Sequence, residues 1–184
     1  MRAGIVAAVA LLFIGLGVAV FFLEAAPSGE SVGSEAGAGS TAAEVAFYGN
    51  PQSPISGGVI IPANRATLWT SGTVPGVADQ NAERGTRERY GDTYTQAASI
   101  LSRIEGQLEE QGLSMRDVVY IRAYLVSDPE NDGRIDMQGW SKAFGEVFGT
   151  EENPTKPARS TVGVAALVVS DWLLEIEAFA VFPP

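Results

Sequence analysis

The sequence predicts an α+β fold in the order ββαβαββ: a sheet with two helices on one face, preceded by a transmembrane helix and a flexible linker. Three observations predict it. The last thirty residues contain two β-like runs, 157–167 and 172–182, rich in Val, Ile, Leu, Phe and Thr. Two runs, 93–112 and 136–148, place apolar residues at helical spacing. Residues 3–23 form a run of 21 without a charge. Runs of strands with helices on one side make a layered α+β domain.

The formal net charge is −10, which gives a nucleic-acid partner no electrostatic footprint. The chain has no Cys and no His. Disulfides, Cys/His zinc sites and Ser-His or Cys-His nucleophiles are therefore excluded. Proton transfer falls to Asp, Glu, Tyr, Lys or water.

Taken in order, residues 1–24 read as a transmembrane anchor or signal segment, since about 20 apolar residues span a bilayer core. Glu24 would occupy an unfavourable position in a signal-peptidase site, which favours the uncleaved anchor. Arg2 before the run and the glutamates after it orient the C-terminal domain outward, to a periplasmic location. Residues 25–48 are a Gly/Ala/Ser/Glu linker with too little apolar surface to order itself. Residues 49–184 are the folded domain.

Within it, 59–61 and 65–71 read as a hairpin joined by the turn formers Pro62, Ala63 and Asn64. Residues 77–91, with Arg84, Arg87 and Arg89, read as a solvated loop, with a lid as the other use. Asp92 or Thr93 caps the first helix, whose stripe is Ala97, Ile100, Leu101, Ile104 and Leu108; Gly112 ends it. Residues 118–126 form a strand with Ile121, Ala123 and Leu125 on one face and Tyr120, Arg122 and Tyr124 on the other. Arg122 can stack on the tyrosines or line a subunit contact. Residues 128–133 lack the spacing of a calcium loop and read as a connection. The second helix buries Met137, Trp140, Phe144 and Val147 or Phe148.

The C-terminal runs carry the candidate chemistry. In the first, Arg159, Thr161 and Gly163 share a face. In the second, Leu173, Glu175, Glu177 and Phe179 share one, opposite an apolar face of Leu174, Ile176, Ala178 and Ala180 that should pack on the helices. One guanidinium and two carboxylates are expected together on the face away from the helices, either as a structural ion pair or as a site.

P-A-R-S-T-V-G-V-A-A-L at 157–167 followed by L-E-I-E-A-F-A-V at 174–181 resembles the C-terminal signature of the RidA/YjgF family. Ser71, Gly72 and Pro75 match its S-G-x-x-P segment. Residues 93–112 match its first helix, and Gly112, Leu113, Asp117 and Val118 match the G-L-x-x-x-D-V that follows. The resemblance spans residues 57–182. It implies a chorismate-mutase-like fold, a homotrimer with clefts between subunits, and a hydrolytic deaminase acting on C=N bonds, converting 2-imino acids to 2-keto acids and ammonia. Arg159 and Glu175 would be catalytic: the guanidinium fork holds a substrate carboxylate, and the carboxylate activates water. Arg159, Thr161 and Gly72 would bind substrate. A protonated imine is already electrophilic, so neither metal nor organic cofactor is implied. Three positions depart from the family pattern: Ile55 stands for a tyrosine, Ser141 for an asparagine and Thr161 for a cysteine, which points to altered substrate choice or weaker hydrolysis. The other reading is a non-catalytic module that binds small carboxylates in the same cleft.

Overall fold

The computed structural model describes residues 44–184. Among them the chain forms, in order, β1 (Ala46–Tyr48), β2 (Gly58–Ile60), β3 (Thr67–Trp69), the one-turn helix α1 (Arg87–Tyr90), α2 (Thr93–Glu109), β4 (Val118–Leu125), α3 (Met137–Val147), β5 (Ala158–Gly163) and β6 (Leu174–Val181). The main sheet has the strand order β3-β6-β4-β5. β6 runs antiparallel to β3 and β4, and β5 runs parallel to β4.

The α+β architecture follows from period-2 and period-3.6 patterning meeting in one core. β4 contributes Ile121, Ala123 and Leu125, and β6 contributes Leu174, Ile176, Ala178 and Ala180, all essentially buried. Against this face α2 lays Ala97, Ile100, Leu101, Ile104 and Leu108. α3 adds Trp140, Ala143 and Phe144. Gly112 takes the left-handed conformation, with φ of 74°, that ends the first long helix.

Asp92 caps α2: its Oδ1 accepts from the Thr95 N–H at 2.8 Å. Partial burial opposes ionisation, but the Thr95 hydrogen bonds outweigh it and hold the carboxyl below its ordinary value of 3.8. The stabilisation is therefore complete above that value and fades as pH falls through the lower folded-state value. Asp92→Ala is expected to lose about 1 kcal/mol at neutral pH, the usual scale of a lost cap. Wild-type and variant urea midpoints should converge at acid pH, once the carboxyl is protonated in both states. An undiminished gap at that pH would assign the effect to something other than the carboxylate.

Several expectations are corrected. Residues 59–61 and 65–71 do not form a hairpin. β2 pairs with β1, and β3 pairs with β6. Pro62 and Asn64 mark a change of sheet, not a turn between partners. β1 also lies in residues expected to be linker. The loop at 77–91 is not simply solvated. Arg87 in α1 forms ion pairs with Asp128 and Glu130, the Gly85 N–H donates to Asp171 Oδ2 at 2.8 Å, and Arg89 Nη1 donates to the Ala82 carbonyl at 3.0 Å. Met137 is 44% exposed, because it opens the first turn of α3 ahead of the buried stripe. Leu173 precedes β6 and turns into the core, where its N–H donates to buried Gln96 at 2.8 Å.

The expected membrane-anchored, periplasmic placement is also corrected. Among the described residues no helix is long and apolar enough to cross a membrane. The longest, α2, has 17 residues and carries Arg103, Glu105 and Glu109 on its outer side. The anchor at 1–24 and the linker up to residue 43 lie outside the described residues.

Candidate active site

β5 is an edge strand, and its register decides where Arg159 goes. Ile121 pairs with Arg159, and Ala123 with Thr161. Paired residues point to the same face, and Ile121 and Ala123 face the helices. Arg159 and Thr161 therefore lie on the helix side of the sheet. There α3 presents Trp140 and Phe144, one turn apart on its buried stripe. The Arg159 guanidinium carbon sits 4.4 Å from the Phe144 ring centre and 5.4 Å from that of Trp140. Both rings are almost fully buried, and they meet edge to face at 5.6 Å. Trp140 Nε1 donates to Thr161 Oγ1 at 3.0 Å. Among the described residues Arg159 has no ion-pair partner. Burial pushes its pKa down, yet a guanidinium stays charged in a protein. The result is a half-buried cation with an aromatic wall and unspent donors.

The opposite, open face carries the carboxylates. Tyr124 pairs with Glu175, Arg122 with Glu177, and Tyr120 with Phe179. Arg122 Nη1 donates to Glu177 Oε2 at 3.3 Å, and the Tyr124 hydroxyl approaches the same oxygen at 3.4 Å. The Arg122 guanidinium lies 5.7 Å from the rings of both Tyr120 and Phe179, so the expected stacking reaches one tyrosine and a phenylalanine. Trp69 packs on Phe179 at 4.4 Å while remaining 70% exposed.

Glu175 lies directly over Gly72. The chain continues past β3 alongside β6, where Thr73 and Ile176 exchange backbone hydrogen bonds of 2.8 and 3.0 Å. A Cβ at Gly72 would fall 1.7 Å from Glu175 Oε1. The absence of a side chain at 72 is what leaves room for that carboxylate.

Arg159 and Glu175 thus do not converge within one chain, which corrects the expectation of a shared face. They lie on opposite sides of the sheet, on strands separated by β4, about 10 Å apart at ordinary strand spacing. The guanidinium that does share a face with Glu175 and Glu177 is Arg122. Thr161 stands beside Arg159, and Gly72 beside Glu175, so the expected residues divide into two groups on opposite faces of the sheet. Ser141 is exposed on α3, next to Trp140. Ile55 packs partly against the core and, with Tyr48, borders a cleft of about 490 Å³ on the side of the β5 start. A second cleft, about 200 Å³, lies among Arg87, Gln96, Asp128 and Asp171. Neither cleft is lined by Arg159 or Glu175. Sequence reasoning placed Trp140 and Phe144 in the core and missed that they wall the cation. The only signal was their spacing of four on the helix preceding Arg159.

Comparison with known proteins agrees with this architecture. The family model described as Endoribonuclease L-PSP matches residues 53–182. A RutC family protein of Pyrococcus horikoshii is 36% identical over 90 residues, which is 49% of this chain and 63% of that protein. The chain thus matches less than two thirds of that relative's length. The 2-iminobutanoate/2-iminopropanoate deaminase of Escherichia coli K12 is 35% identical over 114 residues, covering 62% of this chain and 78% of that protein. A crystal structure of a Rid family protein of unknown function from Yersinia pestis aligns with a TM-score of 0.54 at 26% identity, covering 75% of this chain and 98% of that one. The β4–α3–β5–β6 framework, the P-A-R-S strand and the closing E-I-E-A strand place this chain in the RidA/YjgF family, to which it belongs.

Proposed function

We propose that this chain is a hydrolytic deaminase of reactive imines and enamines, converting 2-imino acids and water to 2-oxo acids and ammonia. The observation that carries the reading is Arg159: a half-buried guanidinium against two aromatic rings, with no carboxylate partner among the described residues. Such a cation suits a small anion arriving from outside, since a planar fork meets a carboxylate in two parallel hydrogen bonds. The similarity to the E. coli deaminase supports the same chemistry.

The reaction needs few parts. Water adds to the C2 carbon of a protonated imine, giving a carbinolamine. Glu175 takes a proton from that water and returns it to the amine. As ammonia leaves and the C2 carbonyl forms, the carbinolamine hydroxyl gives its proton back to Glu175, which passes it to the ammonia, released as ammonium. The steps require no metal or organic cofactor. Since Glu175 and Arg159 lie on opposite faces of one sheet, the complete site needs the edge-strand half-site of one copy against the open-face half-site of another. On that open face Trp69 is exposed beside half-buried Tyr120 and Phe179, an aromatic surface that favours association. A homotrimer closing these faces on one another, with sites between subunits, is the assembly we propose.

One observation favours a second reading. Within one chain the Arg159 guanidinium and the Thr161 hydroxyl lie together on the helix side, apart from Glu175, which is the arrangement a non-catalytic carboxylate-binding module would need. The test is release of ammonia from imino acids generated in situ by an amino-acid oxidase, with the full chain added or omitted. Acceleration together with a sedimentation mass of three chains is the expected result. Buffer-rate hydrolysis across several side-chain types, with 2-oxo acids still bound, would select the binding module.

A further inference from the structure

Thr161 and Trp140 form a pair that the core-packing role of α3 does not explain by itself. An indole N–H can only donate, whereas a threonine hydroxyl has one proton and two lone pairs. In the 3.0 Å contact Trp140 supplies the proton, so Thr161 accepts and its own O–H proton remains unspent. The same indole ring lies 5.4 Å from the Arg159 guanidinium carbon. Arg159 and Thr161 are two residues apart on one face of an edge strand, and both are partly exposed. Trp140 is fully buried and held by Phe144, so it is the rigid member of the group.

We infer that Trp140 is a positioning residue: its ring braces the Arg159 fork, and its N–H turns the Thr161 hydroxyl so that its proton makes a third hydrogen bond to the carboxylate held by Arg159. This rests on the carboxylate-binding reading of Arg159 proposed above. β-Branching leaves Thr161 few rotamers, and the indole selects the one with Oγ1 on the helix side beside the guanidinium. The site then reads a carboxylate with three donors arranged before the ligand arrives, which is the economy of preorganisation. The contact acts on ground state and transition state alike, so its loss raises KM and leaves kcat in place.

The bland alternative is that Thr161 merely satisfies a buried indole N–H. A double-mutant cycle separates the two. Trp140→Phe keeps a ring and removes the N–H; Thr161→Val keeps the shape and removes the hydroxyl; Thr161→Ser restores a hydroxyl without the branch. Dissociation constants for 2-oxobutanoate by calorimetry, and KM and kcat for imino-acid hydrolysis, are measured on the full chain. Thr161→Val should weaken binding by about tenfold, the scale of one charge-assisted hydrogen bond, with kcat within about twofold. Thr161→Ser should bind within about threefold of wild type. Trp140→Phe should weaken binding by about fivefold alone and by nothing further in the Thr161→Val background. Equal effects of Trp140→Phe in both backgrounds, or wild-type affinity in Thr161→Val, would overturn the inference. If Trp140→Phe does not fold, the Thr161→Val and Thr161→Ser affinities decide alone. Wild-type protein that binds no 2-oxo acid removes the reading of Arg159 and this one together; wild-type binding with Thr161→Val unchanged removes this one only.

Discussion

Arg159→Ala is expected to lower 2-oxo acid affinity and imino-acid turnover by about 10²–10⁴-fold, the loss of two hydrogen bonds to a charged group. Stability should move little. The guanidinium contributes cation–π contacts of the order of 1 kcal/mol, but it also carries a desolvation cost with no carboxylate among the described residues to offset it. Arg159→Lys keeps the charge and loses the fork, so it should recover only a small part of the affinity. Calorimetric titration with 2-oxobutanoate, set beside urea midpoints, reads both quantities. Wild-type affinity in Arg159→Ala would end the carboxylate-site reading, which rests on that guanidinium.

Gly72→Ala is expected to remove the catalytic contribution of Glu175 without replacing the acid itself. The new methyl carbon would sit 1.7 Å from Glu175 Oε1 and 2.6 Å from its carboxyl carbon. The atoms in the way belong to the end of a flexible side chain, so the carboxylate swings aside and the backbone stays. Turnover should fall by about 10²-fold or more, within the range of a lost general base. Affinity for 2-oxobutanoate should stay within about threefold, because Arg159 lies on the other half-site. A Gly72→Ala enzyme with full kcat would show that the position of Glu175 is immaterial to the chemistry. Loss of affinity and kcat together would place Gly72 in ligand binding instead.

How far these residues were legible in the sequence depended on each strand. In β6 the alternation Leu174, Ile176, Ala178, Ala180 against Glu175, Glu177, Phe179 is unambiguous, so its faces followed from period 2 alone. β4 reads the same way. β5 does not: Ala158, Ser160 and Val162 against Arg159, Thr161 and Gly163 gives no apolar face, and most of the strand is only partly buried. Its residues could be sorted into two faces, but nothing local said which face met the helices. The register with Ile121 and Ala123 settled that, and it is a long-range property. The short strands β1–β3 were misjudged for a related reason. Three-residue strands take their partners from whichever edge the tertiary fold leaves open, so adjacency in sequence misled. Loop 77–91 likewise hid its ion pair, because Asp128 lies 41 positions away from Arg87.

Hydrophobic periodicity gave the α+β class, the two long helices with their buried stripes, and Arg159, Glu175 and Glu177 as the charged residues to explain; the family resemblance singled out Arg159 and Glu175 among them. The periodic features follow from patterning within a dozen residues, where burial of one face is the dominant free energy. Which side of the sheet Arg159 occupies was decided only in three dimensions. An edge strand with no apolar face takes its orientation from its neighbour's hydrogen bonds, and those placed the cation among aromatic rings, on the side opposite the carboxylates that β6 carries.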